Sequence, residues 1–168
     1  RVPAPVDRSQ RLSRVEPHLA SVNVNACVES VLALQSFAGR AEIRVERELA
    51  THLPPVQADI DLLSTALENL VKNAFEALGD QAGVVRVITA PFEDADGPGV
   101  QVSVSDSGPG MNSRTRERAF EPFFTTKASG SGLGLSWVRE VVHAHHGEVV
   151  LQSHEGQGTR VDLRFRAE

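Results

Sequence analysis

Glu68-Asn69-Leu70-Val71-Lys72-Asn73-Ala74-Phe75-Glu76-Ala77 is the stretch on which the reading of this chain turns. Residues four apart in a helix lie one above the other. Asn69 and Asn73 would thus form a stacked pair of carboxamides, with Thr65, Lys72 and Glu76 on the same side. Leu63, Leu67, Leu70, Val71, Ala74 and Leu78 recur at helical spacing on the opposite side. The stretch reads as an amphipathic helix that starts at Asp59 or Asp61 and runs to about Leu78. One face enters a core, and the other shows a row of amides and charges. A carboxamide oxygen is a hard, neutral ligand that suits Mg²⁺ whose charge phosphates already offset. Paired amides also serve simply to bond neighbouring loops.

Upstream of this helix, residues 1–20 are rich in Arg and Pro and read as a linker or the tail of a preceding element, with one domain over 21–168. Val22-Asn23-Val24 is a short strand. Asn25 caps a helix through Cys27, Val28, Val31, Leu32 and Leu34, with Gly39 as its C-cap. Residues 43–49 alternate apolar and polar as a half-buried strand does, and Pro54-Pro55 breaks the pattern. Downstream, Gly79 and Gly83 bracket a turn, residues 84–90 form a strand, and 93–99 an acidic hairpin loop. A strand over 100–105, a short helix over 113–119, a helix over 133–145 and a closing hairpin of 148–153 with 159–166 complete the chain. Hairpins beside about three main helices argue an α+β fold, a two-layer sandwich.

Composition narrows the function. At 168 residues the chain is long enough for one substantial core, and 40% apolar with 23% charged residues is the balance of a soluble globular domain. A net charge of −5 gives no footprint for nucleic acid. No apolar run approaches the roughly 20 residues that span a bilayer, and a cytoplasmic setting is expected. One cysteine, Cys27, forms no internal disulfide and reads as a small buried hydrophobe. The chain opens on Arg1 rather than Met, as expected of a piece of a larger protein, whose sensor or membrane segment would then lie outside it.

Two further stretches carry chemistry. Asp106-Ser107-Gly108-Pro109-Gly110-Met111 leaves the end of a strand, where a carboxylate held by a glycine turn can accept a hydrogen bond at a pocket mouth. Gly130-Ser131-Gly132-Leu133-Gly134-Leu135 opens a helix, so its amides and the positive end of the dipole suit phosphate. It lacks the Gly-Lys-Ser/Thr of a Walker loop, and it has neither the spacing nor the preceding strand of a dinucleotide fingerprint. Each stretch alone is also what an ordinary turn or loop looks like. His143 and His146 share a helix end, but no further ligand completes a zinc set, and the helix dipole favours histidines there.

Together, in this order, the stretches are more specific. Asn-Leu-x-x-Asn-Ala at 69–74, Asp-Ser-Gly-Pro-Gly at 106–110, Glu-Pro-Phe-Phe-Thr-Thr-Lys at 121–127, Gly-Ser-Gly-Leu-Gly-Leu at 130–135 and Gly-Gln-Gly-Thr at 156–159 resemble the nucleotide-binding boxes of bacterial sensor histidine kinases, of the nitrogen-regulatory type. The resemblance implies the Bergerat ATP-binding fold, a mixed, mostly antiparallel sheet backed by helices, with a short lid over ATP. It implies that Asn73 ligates Mg²⁺ and that Asn69 contacts phosphate or the metal's water, with Lys72 on the same wall. Asp106 takes the adenine amine, Gly108 and Gly110 line the base, and Thr159 supports the Asp106 end. Gly130, Gly132, Leu133 and Gly134 face the phosphates, whose charge Arg118 and Lys127 neutralise. Glu68 either assists phosphoryl transfer or solvates the helix flank.

The same resemblance implies partners: a histidine-bearing dimerisation domain of the same protein, and a response regulator. The acceptor is expected to lie outside this chain, because five of six histidines precede Leu, Leu, Ala, His and Gly, and His154-Glu155 falls in a Gly-flanked hairpin. Residues 1–20 would then be a remnant of the acceptor domain's second helix, the fragment a monomer and the parent a homodimer, with the parent anchored at the inner membrane or not. ATPases of the gyrase, mismatch-repair and heat-shock class, and anti-sigma serine kinases, share the implied fold. They place a Glu four residues before the metal-binding Asn. Here that position is Asn69, and a neutral amide cannot act as a general base.

Overall fold

The computed structural model describes residues 15–35, 42–126 and 134–168. Among the described residues eleven elements follow one another: β1 (Ala20–Val22), α1 (Val24–Leu34), β2 (Ile43–Leu49), β3 (Val56–Ala58), α2 (Ile60–Leu78), β4 (Gly83–Asp94), β5 (Gly97–Asp106), α3 (Ser113–Arg118), α4 (Gly134–Ala144), β6 (Glu148–Ser153) and β7 (Thr159–Arg166). Five strands form one sheet in the order β2-β4-β5-β7-β6, and β1 pairs with β3 in a separate ribbon. Only β2 and β4 run parallel; every other pairing is antiparallel. The mixed sheet and α+β class match the expectation.

Side-chain alternation decides which face of the sheet the helices cover. Val87 lies opposite Val104, and Val104 opposite Val161; Val102 faces Leu163 and Val100 faces Phe165. These residues form one inward row, and the apolar stripes of α1, α2 and α4 close over it in a single cluster. Because side chains alternate along a strand, Arg86, Gln101, Arg160 and Arg164 fall on the open face. There they are tied laterally: Arg86 to Glu46, Arg164 to Gln101 and Arg160 to Asp162.

The ends of α2 are chemically specified. Asp59 is its N-cap and accepts from the amides of Asp61 and Leu62, and Gly79 closes the other end at φ 58°. Asp59 also receives the backbone N–H of His18, while its own N–H donates to His145 Nε2 at 2.9 Å. That acceptor role puts the imidazole proton on Nδ1, which bonds the Val141 carbonyl at 2.7 Å. The start of α2 is thus clamped to the end of α4, and the two helices run antiparallel. His145 is a structural link; among the described residues no histidine, cysteine or carboxylate group forms a metal-binding cluster.

Several expectations are corrected. The first strand is Ala20–Val22 rather than residues 22–24. Asn23, not Asn25, caps α1: it has extended backbone and accepts from Ala26 N, whereas Asn25 lies inside the first turn and donates to the Ala50 carbonyl. The helix reaches its C-cap at Gln35, and Gly39 lies outside the described residues. β3 follows Pro54-Pro55, with Val56 and Ala58 buried and Gln57 exposed, where no strand was expected. The acidic loop shrinks to a tight turn, because Asp94 is held by both Arg166 nitrogens and β4 and β5 pair out to Asp94 and Gly97. Cys27 is buried as expected, and burial pushes its thiol up. No described helix is long and apolar enough to cross a membrane.

Candidate active site

A cleft of about 900 Å³ opens between α2, the end of β5, the turn after it and the first turns of α4. This is the size of a pocket that encloses a small-molecule ligand. One end is polar, with Asn69, Lys72, Asn73 and Glu76 of α2; the other is apolar, with Ala77, Val104, Met111 and Val161 around Asp106. Lys72 and Glu76 pair loosely at 3.8 Å on an exposed helix flank. At the polar end α4 approaches α2 so closely that a Cβ on Gly134 would lie 3.5 Å from the Asn73 amide nitrogen. A helix N-terminus therefore meets the carboxamide row, and both favour an anion or a metal–anion pair.

Asp106 is built into the other end by its turn. Its Oδ1 accepts from Gly108 N at 2.9 Å, while Ser107 Oγ accepts from Val84 N at 2.8 Å and so pins the turn to β4. Gly108 packs on the end of α2, where an added Cβ would sit 3.2 Å from the Ala77 carbonyl. Gly110 has φ +69°, and a Cβ there would lie 2.0 Å from the His154 carbonyl. Only glycine allows the turn to lie against the β6–β7 connection.

That connection completes the wall. Thr159 is the β7 partner opposite Asp106. Buried Ser153 donates its proton to the Gly158 carbonyl at 3.1 Å and accepts from Met111 N at 2.8 Å. The Thr159 hydroxyl, 2.8 Å from Ser153 Oγ, must then be the donor of that pair. Its lone pairs remain for whatever occupies the cleft.

The cleft gathers Asn69, Lys72, Asn73, Asp106, Gly110, Gly134 and Thr159 from the expected set. Gly108 shapes the turn without being a wall residue. Glu68 is not among the lining residues; it sits toward α1, close enough to Cys27 for its charge to disfavour the thiolate. Arg118 also stands off the cleft, held by Glu121 at 3.0 Å with its guanidinium over the Phe124 ring at 4.4 Å. Lys127, Gly130, Gly132 and Leu133 lie outside the described residues. Sequence reasoning missed Phe124, Trp137 and Met111 as lining residues and Ser153 as the organiser of the turn. Phe124 stood in a quoted motif without a role; Ser153 carried no local signal, since its importance comes from two turns meeting in space.

A sheet backed by antiparallel helices, with this two-ended cleft at one end, defines a class of nucleotide-binding ATPase domains, and comparison with known proteins agrees. The family described as histidine kinase-, DNA gyrase B- and HSP90-like ATPase matches residues 58–168, and the chain belongs to it. Within the family its likeness is to sensor histidine kinases. It is 41% identical over 159 residues to the sensor histidine kinase ZraS of Escherichia coli O157:H7, covering 92% of this chain and 34% of that protein. The chain thus spans about a third of that relative's length. The catalytic domain of histidine kinase ThkA superposes with a TM-score of 0.77 at 30% identity, covering 89% of this chain and 95% of that one. Full-length ShkA in complex with AMPPNP gives a TM-score of 0.75 at 29% identity, over 93% of this chain and 33% of that one.

Proposed function

We propose that this chain is the ATP-binding catalytic domain of a two-component sensor histidine kinase, acting in the cytoplasm. It would transfer the γ-phosphoryl group of Mg-ATP to a histidine on a separate dimerisation domain, from which a response regulator then takes it. One observation carries the reading: a single cleft joins the Asn69/Asn73 amide row to Asp106, with an apolar slot at the Asp106 end.

Each end fits its part of the nucleotide. The adenine ring would lie among Ala77, Val104, Met111 and Val161, and Asp106 would accept from its exocyclic amine. Guanine presents a carbonyl at that position and would be repelled by the carboxylate. The phosphates would face the N-terminus of α4 and Lys72. Asn73 would hold Mg²⁺, whose donor preference for neutral and anionic oxygens the amide meets. The bound ion would withdraw charge from the transferring phosphoryl group.

The chain's own residues supply position rather than a base. Position 69 is an amide, and Glu68, the nearest carboxylate in sequence, does not line the cleft. That suits an imidazole acceptor, whose neutral nitrogen attacks without prior deprotonation. The N–P bond forms as the bond between phosphorus and the β–γ bridging oxygen breaks, ADP leaves, and the imidazole proton is lost to solvent. Positioning and charge neutralisation carry most of such a transfer. Calorimetric titration with Mg-ATP and Mg-ADP tests the reading: saturable binding of both is expected, and no heat from either would overturn it.

A further inference from the structure

Among the described residues, Trp137 Nε1 is the one buried side-chain donor or acceptor with no hydrogen-bond partner. An N–H in that state costs about 1–3 kcal/mol relative to a paired one, and such groups are rare enough to need an explanation. Trp137 also lines the cleft. Its level there follows from the antiparallel helices. Asp59 at the start of α2 meets His145 just past the end of α4, and Asn73 near the end of α2 meets Gly134 at the start of α4. Trp137, one turn into α4, accordingly stands opposite Asn69 and Leu70. Asn69 is itself a half-buried cleft residue whose side chain makes no hydrogen bond among the described residues. Two groups able to donate, an indole N–H and a carboxamide, thus stand at one level of the wall with nothing to donate to.

We infer that the indole N–H of Trp137 is a nucleotide-binding donor, and that its acceptor is an oxygen of the phosphate chain, taken together with Asn69. The inference rests on the ATP reading above. Phosphate is the matching chemistry because this level of the wall lies at the amide and helix-N-terminus end of the cleft. The adenine end is remote, with Asp106 as its acceptor. An N–H donating to an anionic oxygen is worth more than one donating to a neutral group. The unpaired donor of the free protein is then a cost that the ligand removes, so a change that deletes the N–H should affect the free and bound states with opposite sign.

Trp137→Phe removes the donor and keeps an aromatic ring, one smaller than the indole. It should raise the Kd for Mg-ATP about tenfold, as expected for one lost hydrogen bond to a charged acceptor, while the free protein melts no lower than wild type. Unchanged affinity would overturn the inference. So would weaker binding accompanied by a matching loss of stability in the free protein, which marks a packing role alone. Trp137 is the only tryptophan in the chain, so its emission gives a second readout. It should shift with Mg-ATP and with magnesium tripolyphosphate but not with adenosine; a shift with adenosine alone would place the ring at the base and refute the assignment. Failure of wild type to bind Mg-ATP in the calorimeter would overturn the ATP reading as well, whereas equal binding by wild type and Trp137→Phe would overturn this inference only.

Discussion

At the scale of single residues, Asp106 shows how little freedom the cleft leaves its key groups. Its Oδ1 is committed to Gly108 N, and the residue lines the cleft from the end of β5. On the ATP reading, Asp106→Asn replaces the carboxylate opposite the adenine amine by an amide that can present a donor there. We expect at least about a tenfold loss of ATP affinity from that exchange of a charged acceptor for a donor, together with weaker discrimination against GTP. Competitive titration of the two nucleotides measures both, and unchanged binding would remove Asp106 from the base. Gly110→Ala is a different kind of change. The added methyl would meet the His154 carbonyl at 2.0 Å on backbone at φ +69°, so the loss should appear as stability, about 2 kcal/mol or more by thermal melting. Asp106 and the asparagines were legible in sequence because their residue types and order are informative without coordinates. Trp137 was not: sequence periodicity placed it on a helix, but only the antiparallel packing of α4 on α2 brings it to the cleft opposite Asn69.

At the scale of elements, α2 was the most legible part of the chain, since its apolar stripe, its Asp59 start and its Gly79 stop agree with one another. The elements that sequence placed poorly are those made by distant partners. β3 is three residues long and exists because β1 pairs with it. The outer half of β4 depends on Arg166 reaching Asp94. Asn23 and Asn25 both have N-cap chemistry, and the choice between them was settled by Ala50, which takes the Asn25 amide. The clamp at Asp59 is testable by pH. Hydrogen bonds from the backbone of His18 and then Leu62 hold the Asp59 carboxyl below its usual range. Its folded pKa lies below its unfolded one, so the native state binds the proton less readily. The stabilisation is complete above the ordinary carboxylate range and is lost as pH falls through the folded value. Asp59→Asn keeps one cap acceptor but turns an NH₂ toward His18 N–H. We expect it to cost about 1 kcal/mol at neutral pH and the gap from wild type to narrow on acidification below about pH 4, as measured by urea melts across pH. A gap constant with pH would show that the charge of Asp59 is not what the clamp uses.

At the scale of the whole molecule, the question is whether this domain can label itself. Of the histidines, His145 is committed through both ring nitrogens to Asp59 N and the Val141 carbonyl, so it presents no free nitrogen to a phosphoryl group. His154, the one followed by an acidic residue, opens a tight turn in which Gln157 N bonds back to its carbonyl and Gly156 N bonds Pro109. Its backbone is fixed on the strand-turn side of the cleft, against the Gly110 wall, rather than on a helix that can approach the γ-phosphate end. His18 contributes its backbone to the Asp59 clamp. On the proposed reading, a domain built this way would position ATP for an acceptor that arrives from elsewhere. Incubation of this chain alone with γ-labelled Mg-ATP should therefore yield no acid-labile phosphohistidine. Adding a dimerisation domain that carries a helical histidine followed by Glu or Asp should yield label on that domain only. The labelled acceptor should lose its phosphate in acid and keep it in base, the behaviour of an N–P bond. Asn73→Ala should abolish transfer in trans without lowering the melting temperature of the free chain by more than a few degrees, since Asn73 stands on the cleft face of α2 rather than among its core residues. Label on this chain in the absence of the acceptor domain would overturn the division of labour argued from these histidines.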